Sequence, residues 1–328
     1  MSNKPRILVA RAIFPDLLAK LEESYEVRSN QADVILSPEE LQHELSGVVG
    51  ALVAGSERID ANALAKAKDL KIVANISVGY NNFDVPAITA AGVMATNTPD
   101  VLTNTTADFG FALLMATARR ITESEHWIRA GKWDKWSIVN NPLGMDLHNT
   151  TLGIIGMGRI GQGIAKRALG FGMNVIYHNR SRLPEADEKA CGARYVSKEE
   201  LLKTADHVVL VLPYTPANHH TIGAKEIALM KPTATLVNIA RGGIVDDAAL
   251  AQALKEKKIF AAGLDVFEGE PQVHPELLKL QNVVLAPHIA SATEKTRRAM
   301  VELAMENLRA AIDGRKPPSL INAEVWKA

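Results

Sequence analysis

The chain is short of several things, and each shortage excludes a class of protein. One cysteine, Cys191, stands in 328 residues, so no intrachain disulfide framework is possible. That fits a reducing compartment, and the residue reads as a small buried hydrophobe. Neither sign of charge is in excess, with Lys+Arg 37 against Asp+Glu 37, which leaves no basic field for nucleic acid or an anionic membrane. The longest apolar run, Phe109–Ala118, is far below the ~18 residues that span a bilayer. The segment Met-Ser-Asn-Lys-Pro-Arg carries no signal-peptide core before the first apolar run. No repeat or low-complexity stretch stands out. The expectation is a soluble, cytoplasmic protein of two domains, each able to bury its own core.

What is present is alternation. Ile7–Ala10, Ala51–Ala54, Lys71–Ile76 and Val93–Thr96 read as strands, with helices at Pro15–Glu23 and Ala61–Ala67 between them. This pattern predicts a parallel sheet with crossover helices. Thr103–Arg120 is helical but apolar on more than one face, so it needs cover from the other domain or a second subunit. Trp127, Trp133 and Trp136 follow within ten residues and read equally as core anchors or as an oligomer interface. A second strand–helix series runs from Thr151 to about Ser291. A last helix, Thr293–Asp313, stops at Gly314 before Pro317-Pro318. The fold class is therefore α/β, with two Rossmann-like, doubly wound parallel-sheet domains and a cleft between them. Residues 1–100 with 293–328 form one discontinuous substrate-binding domain, and residues 101–292 form the inserted cofactor domain.

Thr151–Gly161 reads TLGIIGMGRIG, placing Gly-x-Gly-x-x-Gly at Gly156, Gly158 and Gly161. The motif alone is a weak signal. Here the strand Leu152–Ile155 precedes it, an amphipathic helix follows through Leu169, and a second strand, Asn174–Tyr177, closes the βαβ unit. Gly156 permits the tight turn, Gly158 lets a pyrophosphate approach the backbone, and Gly161 lets helix pack on strand. Arg159 and Ile160 open the helix whose amino terminus favours the phosphate charge.

The end of the second strand selects the cofactor. An Asp or Glu there would accept from a ribose 2′-hydroxyl and repel a 2′-phosphate. The sequence instead has Asn179-Arg180-Ser181-Arg182, two guanidiniums flanking a hydroxyl, which suits a phosphate. NADP(H) is expected to be preferred, with NAD(H) possible.

Arg241, Glu270 and His288 each follow an apolar run that reads as a strand: Thr235–Ala240, Ala261–Phe267 and Val283–Pro287. Ligands of open α/β sheets bind outside the carboxyl ends of the strands. Arg241 suits a carboxylate clamp, because its planar fork holds two oxygens and stays charged. His288 suits a proton donor near neutral pH. Glu270, if its strand neighbours that of His288, would orient the ring and favour the imidazolium. Asp265 either supports this group or holds a nicotinamide amide. Taken singly, each has a bland reading as a surface charge, a loop acid or a satisfied histidine; one shared sheet edge makes the functional reading the stronger. His219-His220 are adjacent and lack the i, i+4 spacing of a helical metal pair, so no catalytic metal is expected.

These segments resemble the D-isomer-specific 2-hydroxyacid dehydrogenase family over essentially the whole chain. The resemblance is carried by Ser77–Asp84 (SVGYNNFD), the glycine fingerprint, Asn238–Gly242 (NIARG), Ala262–Phe267 (AGLDVF) and Pro287-His288-Ile289. Within the family the chain is most similar to bacterial glyoxylate/hydroxypyruvate and 2-ketogluconate reductases, on Val101-Leu102-Thr103 and the basic turn. The resemblance implies Arg241, Glu270 and His288 as catalytic residues, and a substrate carboxylate bound by Arg241 and the amides of Val78 and Gly79. It places Thr106, Pro213, Ala240 and Asp265 near the cofactor, and it implies a homodimer. Ala290 departs from the Gly that many relatives carry. The expected activity is NADPH-dependent reduction of a small 2-keto acid to a D-2-hydroxy acid. The alternatives are an NAD-dependent phosphoglycerate or lactate type of dehydrogenase, or a nucleotide-sensing corepressor of the same fold.

Overall fold

The computed structural model describes residues 4–327. Met1–Asn3, which open the segment read above as lacking a signal-peptide core, and Ala328 lie outside the described residues. The chain divides into two compact units, one comprising the residues through Leu102 with those from Ala292 onward, the other Thr103–Ser291.

In the first unit β1 (Arg6–Val9), α1 (Pro15–Glu22), β2 (Glu26–Ser29), α2 (Pro38–Glu44), β3 (Gly50–Val53), α3 (Ala61–Leu64), β4 (Ile72–Asn75), α4 (Val85–Ala90) and β5 (Met94–Thr96) follow in order. The strands form a parallel sheet of order β2-β1-β3-β4-β5. β3 and β4 are buried at every position, which is why they are continuous apolar runs rather than alternating ones. β2 reads EVRS and keeps its polar ends exposed at the sheet edge; it carries no apolar signal, and the sequence reading passed over it.

The second unit opens with α5 (Thr103–Ala118) and α6 (Ile121–Arg129). It continues through β6 (Thr151–Ile155), α7 (Arg159–Leu169), β7 (Asn174–His178), α8 (Glu185–Cys191), β8 (Ala193–Tyr195), α9 (Lys198–Thr204), β9 (His207–Leu210) and α10 (Ala224–Ile227). β10 (Thr235–Asn238), α11 (Asp247–Lys255), β11 (Ala261–Leu264) and β12 (Val283–Leu285) complete it. The seven strands run parallel in the order β12-β11-β10-β9-β6-β7-β8. One core fills the face against α9 and α11, around Leu201, Leu236 and Leu254; another fills the face against α5 and α7, around Leu114, Ile154 and Ile164.

The chain then returns to the first unit with α12 (Glu294–Ile312), capped by the Thr293 hydroxyl, which accepts from the Thr296 amide. Val301, Ala304, Met305 and Leu308 of α12 pack with Ile7, Val9, Leu52 and Ile72. Two parallel-sheet α/β domains are thus present, as the alternation implied. No helix of the described residues is long and apolar enough to cross a membrane.

Two expectations are corrected. α5 finds its cover inside its own unit: it lies along α7 and over β10 and β11, and its buried residues include Ala107, Phe111, Leu114 and Ala118. Phe109, Ala112, Met115 and Ala116, on another face of the helix, stay partly or fully exposed. Trp133 and Trp136 are not core anchors; they are 53% and 73% exposed, beside exposed Ile138, Val139 and Leu143.

Candidate active site

The strands carrying the three sequence candidates end earlier than their apolar runs suggested, because backbone turns interrupt the ladder. After β10 the Asn238 carboxamide accepts from the Ala240 amide (3.0 Å) and donates to the Arg241 carbonyl (3.2 Å), folding the chain away from the sheet. Arg241 is half-buried, and its guanidinium donates to the Ala240 carbonyl at 2.8 Å. Gly242 then lies so close to the Phe267 carbonyl that a Cβ would collide with backbone. Glycine therefore lets the Arg241 turn pack against the segment leading to Glu270. Burial pulls the Arg241 guanidinium below its ordinary pKa, and the Glu270 charge opposes that. An arginine so shifted remains charged at any working pH.

β11 and β12 are paired neighbours, so the residues following them converge. His288 Nδ1 donates to Glu270 Oε2 at 2.8 Å, and Glu270 Oε1 accepts from the Phe267 amide at 3.0 Å. Burial would raise the Glu270 carboxyl. The hydrogen bond and charge of His288, the Phe267 amide and the Arg241 charge outweigh it, and the net shift is downward. Glu270 is thereby kept ionised, orients the ring through Nδ1, and leaves Nε2 as the nitrogen for a substrate oxygen.

His288 itself has φ +54°, a left-handed conformation that costs a non-glycine residue roughly 1–2 kcal/mol. Asp265 holds it there. The His288 amide donates to the Asp265 carbonyl (2.9 Å), while the Ile289 and Ala290 amides donate to the two carboxylate oxygens (2.7 and 2.9 Å). Burial raises the fully buried Asp265 carboxyl, only partly offset by those two amides. Of the two roles read from the sequence, this geometry is that of a support for the His288 loop.

The glycine loop is shaped for a dinucleotide. Gly156 has φ +102°, and a Cβ there would strike the Val211–Leu212 backbone. Gly158 faces open space, and a Cβ on Gly161 would run into the Gly156 carbonyl. Arg159 and Ile160 begin α7 at the edge of this loop. Thr106, on α5, keeps a buried hydroxyl without a partner among the described residues. Pro213, in the segment after β9, is exposed, and Ala240, after β10, is buried. An open cradle of backbone and an unsatisfied buried hydroxyl fit a nicotinamide dinucleotide.

The turn after β7 departs from the sequence reading. Asn179 does not point outward: its Oδ1 accepts from the Met157 amide of the glycine loop at 2.6 Å. Arg182 is not free for a phosphate, because its Nε and Nη2 bind the two oxygens of Glu188 at 2.9 and 2.8 Å. Tyr177 donates to the same carboxylate at 2.6 Å. Arg182 and then Tyr177 hold Glu188 down at a pKa of about 2, and burial followed by that hydrogen bond pushes Tyr177 up to about 12. Arg180 and Ser181 remain exposed. The sequence offered no sign of this tie, because Glu188 sits on the next helix.

In the other unit, the loop after β4 is pinned through its carbonyls. Asn97 donates to the Val78 carbonyl at 2.8 Å, and both Asn75 (3.0 Å) and Ser77 donate to that of Gly79. Asn75 closes β4 immediately before this loop, whereas Asn97 reaches it only through the fold, from 19 residues away. His219 and His220, which lack helical metal-pair spacing, both face Glu268, 49 and 48 residues further along the chain.

The segment 111–290 matches the model of the D-isomer specific 2-hydroxyacid dehydrogenase NAD-binding domain. Over 325 residues the chain is 49% identical to a glyoxylate reductase of Thermococcus onnurineus, covering 98% of this chain and 97% of that one. A solved glyoxylate reductase from Paecilomyes thermophila superposes with a TM-score of 0.88 at 34% identity, covering 98% of this chain and 99% of that one. An NADPH-dependent glyoxylate/hydroxypyruvate reductase from Sinorhizobium meliloti, solved with NADP and malonate, superposes with a TM-score of 0.86 at 34% identity over 99% of both chains.

Proposed function

The chain belongs to the D-isomer-specific 2-hydroxyacid dehydrogenase family, and from that premise we propose that it reduces glyoxylate and related small 2-keto acids, hydroxypyruvate and 2-ketogluconate among them, with NADPH preferred over NADH. The observation that carries the reading is the His288–Glu270 pair beside Arg241 at one sheet edge. The glyoxylate reductases to which the chain is similar over nearly its full length support the substrate class.

In this proposal Arg241 binds the keto acid's carboxylate with its fork, and Val78 and Gly79 are carried as substrate-binding residues by the family resemblance alone. A nicotinamide dinucleotide held by the Gly156–Gly161 loop would supply the hydride for the carbonyl carbon. His288 delivers a proton from Nε2 to the carbonyl oxygen, and Glu270 steadies the ring and its charge through Nδ1. Closing water out of the site would strengthen each of these charge contacts.

The cofactor preference rests on Arg180 and Ser181, which stand exposed where an acid would repel a 2′-phosphate. Arg182 adds to it only if it leaves Glu188. A homodimer belongs to the same proposal, supported by the exposed apolar cluster around Trp136; light scattering would check it. The decisive test is the oxidation rate of NADPH and NADH with glyoxylate, hydroxypyruvate and 2-ketogluconate in turn. NADPH-linked turnover is expected. A preference for NADH would overturn the reading of the basic turn, and no turnover with any acid would overturn the reductase itself.

A further inference from the structure

His219 and His220 follow a 3-10 turn, Pro216–Asn218. His220 takes φ +49°, and the two rings stack with centroids 3.8 Å apart and planes 24° from parallel. Stacking turns both rings toward one carboxylate. His220 Nε2 lies 3.1 Å from Glu268 Oε2, and His219 Nε2 lies 3.9 Å from Oε1. One ligand atom from each of the three side chains falls within 4.8 Å of the others.

The rings' other nitrogens are also faced by polar groups. His219 Nδ1 is 3.3 Å from the Tyr214 hydroxyl, and His220 Nδ1 is 3.8 Å from Asp246 Oδ2. Imidazoles that bind metals are commonly oriented through the second nitrogen by such a partner. Two imidazoles and a carboxylate are a donor set that zinc uses, with a fourth position left to water. Nitrogen donors favour zinc, nickel or copper over magnesium or calcium. Bonds of about 2 Å in a tetrahedral site put donors about 3.3 Å apart. These side chains, 34–44% exposed, can close that gap by rotation.

We propose that His219, His220 and Glu268 form a site for a divalent transition-metal ion, and that the ion restrains the turn carrying Glu270. Glu268 and Glu270 share one short turn. The Glu268 amide is tied to Asp247 at 3.0 Å, and Glu270 reaches back to the Phe267 amide. An ion on Glu268 tethers this turn to the His219-His220 loop and limits the adjustment of the Glu270–His288 pair during turnover. The site stands on its own ligands and does not depend on which keto acid is reduced.

The full-length chain, stripped with a chelator, would be titrated calorimetrically with Zn²⁺. One ion per chain is expected, and His219→Ala or Glu268→Gln should weaken binding by at least the ~10–100-fold typical of losing an outer partner. Co²⁺ should give a visible band without thiolate charge transfer. Zn²⁺ should slow the parent enzyme and leave His219→Ala, whose basal turnover should match the parent's, unaffected. Absence of saturable binding, or binding that survives both substitutions, overturns the site. Equal inhibition of His219→Ala would put the ion on the His288–Glu270 pair and overturn the restraint.

Discussion

At the carboxyl ends of β10, β11 and β12 the charged side chains are fixed by their surroundings, whereas the turn after β7 leaves half of its charge loose. Glu270 is held by the Phe267 amide and by His288, and Asp265 grips three consecutive amides of the His288 loop. In the β7 turn Asn179 and Arg182 are tied down, but Arg180 and Ser181 face solvent. Proton transfer needs atoms placed within tenths of an ångström, and binding energy is wasted if the groups must first be ordered. Discrimination between a hydroxyl and a phosphate needs only charge of the right sign near the ribose, so exposed groups suffice.

The contrast is tested most severely at His288. His288→Ala should lower turnover by ~10²-fold or more while leaving cofactor preference untouched; steady-state rates with both cofactors would show it, and near-parent activity would refute the role. At the β7 turn the expected change is the converse. Arg180→Ala should cut the NADPH-over-NADH ratio in kcat/KM by ~10-fold, the loss of one charge-assisted contact, with little change in NADH turnover. Arg182→Ala should change that ratio less, because its fork already serves Glu188. A larger effect at Arg182 would mean that the ion pair opens when the cofactor binds.

Support of the proposed catalytic corner is a smaller matter of order. Asp265→Asn sets an NH₂ against the Ile289 or Ala290 amide, leaving a buried donor unmet at about 1–3 kcal/mol. A lower melting temperature and a few-fold loss of turnover should appear together, the second through a less constrained His288. Smallest is the acid response of the β7 turn. Folded Glu188 titrates near 2, below its ordinary 4.5, so its stabilising contribution is complete above pH 4.5 and is lost as pH falls toward 2. Glu188→Gln should flatten that part of the stability–pH curve in denaturant unfolding, with little change in the NADPH ratio at neutral pH.

Much of this protein could be read before it was folded. Strand–helix alternation announced parallel sheets because strands buried on both faces must be apolar runs; the polar edge strand β2, the short edge strand β8 and the buried β9 were not singled out. The glycine fingerprint was legible because its φ and close-approach requirements are local. Arg241, Glu270 and His288 were legible because strand ends in a parallel sheet share one edge.

The sequence by itself thus determined the architecture, the dinucleotide loop and the sheet edge at which Arg241, Glu270 and His288 meet, all of which depend on local periodicity or on short-range backbone constraint. Tertiary structure alone decided which charges are spent and which remain exposed. Glu188 claims Arg182, Asp265 is turned onto the His288 loop, α5 packs on its own sheet, and Glu268 meets two histidines 48 and 49 residues away. Apart from Glu188, six residues from Arg182 but on the next helix, such pairings depend on distances between elements remote in the chain, and no spacing along the sequence encodes them.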